Sequence, residues 1–267
     1  MKKLILLLIL LSSSLFARVA YTVTIEPQKF FLERIGQSKI KVKTIYENID
    51  FTKELPHVHF RKFAYSAVYF TVGLPSEEAY AKKLLGFNDE IKIVDTSKNV
   101  EMLYNDDGKV NPYFWVDPLR VREVTKVMLQ TLIKNDPDNK EYFESNHETL
   151  MRELDKIFLR LKDTLFYSTN AVMVFNNKLD YFLRRFDVRY YKAENKVLSG
   201  PKFTEVFRLS KEKNIKYLIV DSSINYEVYN TWSNANDMEV IHSDIYSYNW
   251  FSDLFVLSDK IASKKEE

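Results

Sequence analysis

The sequence predicts an α/β fold: two α/β lobes with parallel-type sheets, joined by one long rigid helix, with a ligand cleft between the lobes. Three features predict it. Short β-branched runs alternate with segments of helical period. One long amphipathic segment interrupts this alternation just past the middle of the chain. The alternation then restarts.

Residues 19–25 alternate and are β-branched, which reads as a strand. Pro27 opens a helix carrying Phe30, Phe31 and Ile35 at helical spacing, and Gly36 closes it. Residues 40–45 and 67–72 are strands, the second ending at Gly73; Pro75 starts a helix that stops at Gly86, and a strand follows over 91–94. Asp117 is a good N-cap and Pro118 fits the first helical position, with the helical period running through 121–133. Asp136-Pro137 then opens the long segment. Phe143, His147, Leu150, Leu154, Ile157, Leu161 and Leu165 recur at threes and fours with charges between them, so residues 140–165 form one helix of roughly 39 Å.

Beyond it, strands are expected at 171–175, 188–191, 217–220 and 239–242. Helices are expected at 179–186, 201–211 (with Ser199 near its cap), 226–236 and 250–262. Lys264–Glu267 is a solvated tail. The expected division is a signal peptide at 1–17, an N-terminal lobe at 18–138, a linking helix at 139–166 and a C-terminal lobe at 167–267.

Lys2 and Lys3, the apolar run Leu4–Leu11 and the small residues after it have the layout of an export signal, with cleavage after Ala17. The run is far shorter than the roughly 20 residues that span a bilayer. These two lysines account for the whole formal charge of +2, so the charge balance gives no case for nucleic acid as a partner. Cysteine is absent, which excludes disulfides, thiolate metal sites and lipoprotein tethering. The expectation is a soluble, monomeric protein of a bacterial periplasm. The closest two of the five glycines are thirteen residues apart, so no dinucleotide fingerprint, P-loop or nucleophile elbow is present.

Ligand-site residues should follow strands. Pro56-His57-Val58-His59 places two imidazoles on one side if extended, either as a metal pair or as two surface loop histidines. His242 ends a strand and Asp244 lies two residues on; they are ligands, or Asp244 caps the next segment. Asp221 also ends a strand, as a site residue or an Asx-turn. His147-Glu148 starts an HExxH motif that Met151 breaks, so His147 packs along the helix. Asp106-Asp107 beside Gly108 reads as a turn.

The run Val23 to Gly36, Pro56-His57, Val72-Gly73-Leu74-Pro75-Ser76-Glu77-Glu78, Trp115-Val116-Asp117-Pro118, the long helix, Val174-Phe175 and Tyr181-Phe182-Leu183-Arg184-Arg185-Phe186 occur in this order. In this the chain resembles the periplasmic metal-binding proteins of zinc and manganese ABC importers, over essentially its whole length after residue 17. The resemblance implies two lobes joined by a helix, a divalent metal ion held in the cleft, and a membrane permease as partner. It matches His57 and Asp244 to two of the family's four ligands and places Tyr113 and Asn176 where the other two are histidines. The expected metal set is therefore His57, His59 and Asp244, with His242 or Asp221, holding a zinc- or manganese-like ion; a set made richer in oxygen by Asn176 or Asp221 tilts towards harder ions such as Mn(II) or Fe(II). The alternative is a cleft that has lost metal and binds another small solute or a protein partner. No nucleophile and base pair marks an enzyme.

Overall fold

The computed structural model describes residues 18–46, 55–193 and 201–263. The expected signal peptide, the cap Ser199 and the tail 264–267 lie outside the described residues.

Two four-stranded parallel sheets stand on either side of a long helix. The first contains β1 (Val19–Val23), β2 (Ile40–Thr44), β3 (Val68–Thr71) and β4 (Lys92–Asp95), in the order β2-β1-β3-β4. Helices α1 (Glu26–Gly36), α2 (Arg61–Ala64) and α3 (Glu77–Leu85) connect them. A hairpin of β5 (Leu103–Tyr104) and β6 (Val110–Asn111) turns at Gly108, whose φ of +78° suits a residue without Cβ. The turn was legible, its two short strands were not. Helix α4 (Pro118–Asn135) leads to α5 (Lys140–Phe166), 27 residues long. Its buried face is the seven-residue set read from the periodicity.

The second sheet contains β7 (Ala171–Val174), β8 (Arg189–Lys192), β9 (Tyr217–Val220) and β10 (Glu239–His242), in the order β10-β9-β7-β8. Helices α6 (Asp180–Arg185), α7 (Pro201–Glu212) and α8 (Tyr226–Asn236) lie between these strands, and α9 (Trp250–Ala262) closes the chain. Both sheets reverse their strand order in the middle, between β1 and β3 and between β7 and β9. Such a switch point opens a crevice at the carboxyl edge of the strands.

The two halves share one apolar core. Trp250 of α9 meets Phe31 of α1 edge-on at 5.0 Å, and both are buried. Hydrogen bonds stitch the halves further. The Trp115 indole donates to the Ile245 carbonyl at 2.7 Å, and the Trp250 indole donates to the Trp115 carbonyl at 2.7 Å. Tyr181 Oη donates to the Asn111 carbonyl at 2.8 Å, and Arg185 Nε donates to Asp117 Oδ2 at 2.8 Å. The Trp-x-Asp-Pro and Tyr-Phe-x-Arg-Arg segments are thus two sides of one latch between the lobes.

His147 is buried against α4, with Nε2 3.2 Å from Thr125 Oγ1. The Thr125 hydroxyl gives its proton to the Arg122 carbonyl, so it accepts from the imidazole. Burial, then the charges of Lys126 and Arg122, hold the imidazole below its ordinary pKa. A depressed histidine contributes stability above its unfolded value of about 6.5 and loses it as pH falls. The expected result is a melting temperature that drops between pH 7.5 and 5.5, with a shallower drop in His147→Gln; equal slopes would remove His147 as the cause.

Candidate metal centre

The carboxyl edge of the second sheet, at its switch point, gathers polar side chains from successive loops. Asn176 and Lys178 follow β7, Asp221 and Ser223 follow β9, and Ser243 and Asp244 follow β10. Asn176, Lys178, Asp221 and Ser243 line a small pocket floored by Val174, Ile219 and Val220. Continuous apolar runs make β7 and β9 buried on both faces, which leaves only their ends to carry polar chemistry.

Asp221 is the hub. Asn176 Nδ2 donates to Oδ2 at 2.8 Å; Lys178 Nζ, at 2.9 Å, and Ser223 N, at 2.7 Å, donate to Oδ1, as does the Ser223 hydroxyl. Burial pushes this carboxyl up. The Lys178 charge and the bonds from Ser223, Lys178 and Asn176 outweigh it and hold the group below the ordinary aspartate range. It is therefore ionised at neutral pH.

The first lobe presents Tyr113 to this cluster. Its hydroxyl is hydrogen-bonded to Tyr246 of the second lobe. Burial raises the Tyr113 phenol, and the Asp221 charge raises it further. Burial, then Tyr113, then Asp221 and Asp244, push Tyr246 up. Both phenols are neutral, and both aspartates lie close enough to act on Tyr246. Asp244 is exposed, and its Oδ1 accepts from Tyr246 N at 2.9 Å.

The histidines stand elsewhere. Residues 57–60 form a 3-10 turn running into α2, with His59 N bonded to the Pro56 carbonyl at 2.9 Å. Three residues per turn set His57 and His59 about 120° apart, so the expected alternation fails. His57 stacks on Phe87 at 4.5 Å, and its Nε2 comes near Gly86, at the carboxyl end of α3. The other end of α3, at Glu77, accepts from Val72 N and Leu74 N at the carboxyl edge of the sheet. Nine helical residues place His57 roughly 13 Å from that edge. His59 packs its ring against Phe63 at 5.4 Å, and His242 turns to Tyr229 of α8 at 5.5 Å. Among the described residues no three His, Asp or Glu side chains form a metal-holding group. The expected set of His57, His59, His242, Asp221 and Asp244 is not assembled; Asp221 lines the pocket, while Asp244 is exposed and bonded to Tyr246 N.

Sequence reading missed two residues. Lys178, two positions beyond Asn176 after a buried strand, was signalled only by that position. Glu77 is 3% exposed, and burial raises its pKa to about 7 against bonds from Thr24, Val72 and Leu74. Those bonds commit its oxygens to bracing the 72–74 loop.

The cleft residues present can be tested against a metal cargo. They supply carboxylate, amide and phenol oxygens, which suit Mn(II)-like ions better than zinc.

The family model described as "Zinc-uptake complex component A periplasmic" matches residues 22–249. The manganese-binding lipoprotein MntA of Halalkalibacterium halodurans is 20% identical over 189 residues, which are 68% of this chain and 63% of that protein. The high-affinity zinc uptake system protein ZnuA of Bacillus subtilis is 25% identical over 113 residues, 36% of this chain and 34% of that protein. The chain thus spans less than two thirds of either relative. Among solved structures, a crystal structure of ZnuA superposes with a TM-score of 0.85 at 23% identity, covering 92% of this chain and 98% of that one. The Mn2+ complex of FpvC from Pseudomonas aeruginosa gives 0.75 at 14% identity, covering 92% and 97%. These likenesses are of fold. No helix among the described residues is long and apolar enough to cross a membrane. With the family model running from the first strand to the threshold of the last helix, this chain belongs to the periplasmic zinc-uptake component A family.

Proposed function

We propose that the chain is the periplasmic solute-binding component of an ABC importer, capturing a divalent cation between its lobes and delivering it to a membrane permease. The observation that carries this reading is the meeting of Asp221 and Asn176 in one pocket at a switch point, with Tyr113 and Asp244 brought to its edge through Tyr246. We assign Asp221 and Asp244 as the charged ligands and Asn176 as a neutral one, with lobes at 18–138 and 167–267 and a linking helix at 139–166. His57, His59 and His242 are outside this set. The protein works as a monomer, and ATP hydrolysis belongs to the importer.

The latch limits lobe movement, so the permease reads a small change at the cleft mouth. A ligand shifts such an equilibrium only by its differential affinity for the two states. Calorimetry with Mn(II), Fe(II) and Zn(II) is expected to show one equivalent bound, manganese in preference to zinc. Asp221→Ala and Asp244→Ala each weaken it at least tenfold, about 1.4 kcal/mol, while His57→Ala does not. Absence of binding by all three ions would overturn this function. An unchanged affinity in Asp221→Ala would overturn the ligand assignment alone.

A further inference from the structure

The cleft already contains a cation. Lys178 Nζ lies 2.9 Å from Asp221 Oδ1 and 3.0 Å from Ser223 Oγ, and 5.7 Å from the centre of the Tyr246 ring. The pair is largely buried, with 14% of the Lys178 side chain and 13% of the Asp221 side chain exposed. An ionised carboxylate has about four lone-pair sites. On Asp221 one oxygen takes Lys178 and both donors of Ser223, and the other takes Asn176. Asn176 belongs to the same network: its amide nitrogen donates to Asp221 while its oxygen accepts from Lys178 N at 3.1 Å.

We propose that Lys178 is a tethered competitor of the cargo: its ammonium occupies the position on Asp221 that a divalent ion must take, and the ion binds by driving it out. The inference rests on the function proposed above. An ammonium and a divalent ion cannot share one carboxylate oxygen without strong repulsion. The lysine stem is long and flexible, and its head can swing to water while the methylenes remain packed. A competitor on the same chain acts at high effective concentration, so it lowers the apparent affinity for every ion and does so at all protein concentrations. It also gives Asp221 a partner after release, so the emptied cleft does not hold an uncompensated buried charge. Lys178 therefore sets the affinity threshold of the site and favours release at the permease.

The test is calorimetric titration of the purified full-length exported protein, and of its Lys178→Met and Lys178→Arg variants, with Mn(II) at fixed pH and ionic strength. Methionine keeps the stem and removes the charge. Lys178→Met is expected to bind at least tenfold more tightly than the wild type, and Lys178→Arg, which keeps the charge, is expected not to gain this affinity. Lys178→Gln, a second neutral replacement, stands in if Lys178→Met lacks the wild-type circular dichroism spectrum. Wild-type binding with equal or weaker binding in the neutral variants overturns the competitor while leaving the proposed function in place. A gain shared by Lys178→Arg overturns the role of charge. No binding in any of the proteins overturns both readings.

Discussion

Asp117→Ala is expected to lower the unfolding free energy by about 3–5 kcal/mol, the usual cost of removing one partner from a buried ion pair. Asp117 is fully buried. One oxygen caps α4 by accepting from Leu119 N at 3.0 Å. The other accepts from Arg120 Nη1 at 2.6 Å and from the guanidinium of Arg185 across the lobe boundary. Alanine deletes the cap, worth about 1 kcal/mol, and removes the buried anion shared by Arg120 and Arg185, leaving Arg120 only the exposed Glu101 carboxylate at 3.5 Å. Arg185 is 30% exposed and regains some water, which places the result towards the lower end of the range. Asp117→Asn keeps a capping oxygen and is expected to cost less. Urea denaturation of the three proteins measures this; a loss below about 1 kcal/mol in the alanine variant, no more than the cap alone, would mean that the latch carries little of the fold.

Trp115→Ala carries the second large effect, about 3–5 kcal/mol, from the cavity left by a large buried side chain. Trp115 is 1% exposed and packs against Tyr246 and Tyr113. Its indole N–H is the sole donor here to the Ile245 carbonyl among the described contacts. Trp115→Phe separates the two contributions. It retains much of the ring but leaves that carbonyl without its donor, at about 1–3 kcal/mol. Because Ile245 adjoins Asp244, the phenylalanine variant is also expected to weaken cation binding while remaining folded. A Trp115→Phe protein with wild-type stability and wild-type affinity would show that the indole bond holds neither the lobes nor the loop that carries Asp244.

Most of the architecture was legible because each element announces itself locally. The strands 217–220 and 239–242 and the helices 226–236 and 250–262 stand where the apolar runs and periodicity placed them. The failure at 57–64 has a local cause. His57-Val58-His59 alternates like an extended loop, yet it sits in a 3-10 turn feeding a four-residue helix. A segment that short has no full helical period to read. The chain carries the histidine that follows Pro56 to the carboxyl end of α3, beside Gly86 and Phe87. The position of Asp221 at the end of a buried strand was legible from the apolar run before it, and that of Asp244 from its place two residues after the last strand. Their partners were not, since the Lys178–Asp221 pair joins residues 43 positions apart and depends on β7 and β9 being neighbours. The Trp-x-Asp-Pro and Tyr-Phe-x-Arg-Arg segments pointed to the family through their latch, and so identified the fold more securely than the ligands.

The contact of Trp250 with Phe31 also bears on the timing of folding. The apolar face of α1, made near the start of the chain, has no complete covering until the thirteen residues of α9 exist. Contacts of such sequence separation form slowly, because the intervening chain must be closed first. In a polypeptide synthesised from its amino end, the closing contacts of α1 are therefore the last to form. Its aromatic face, Phe30 and Phe31, gains the last of its covering only when Trp250 and Phe251 arrive.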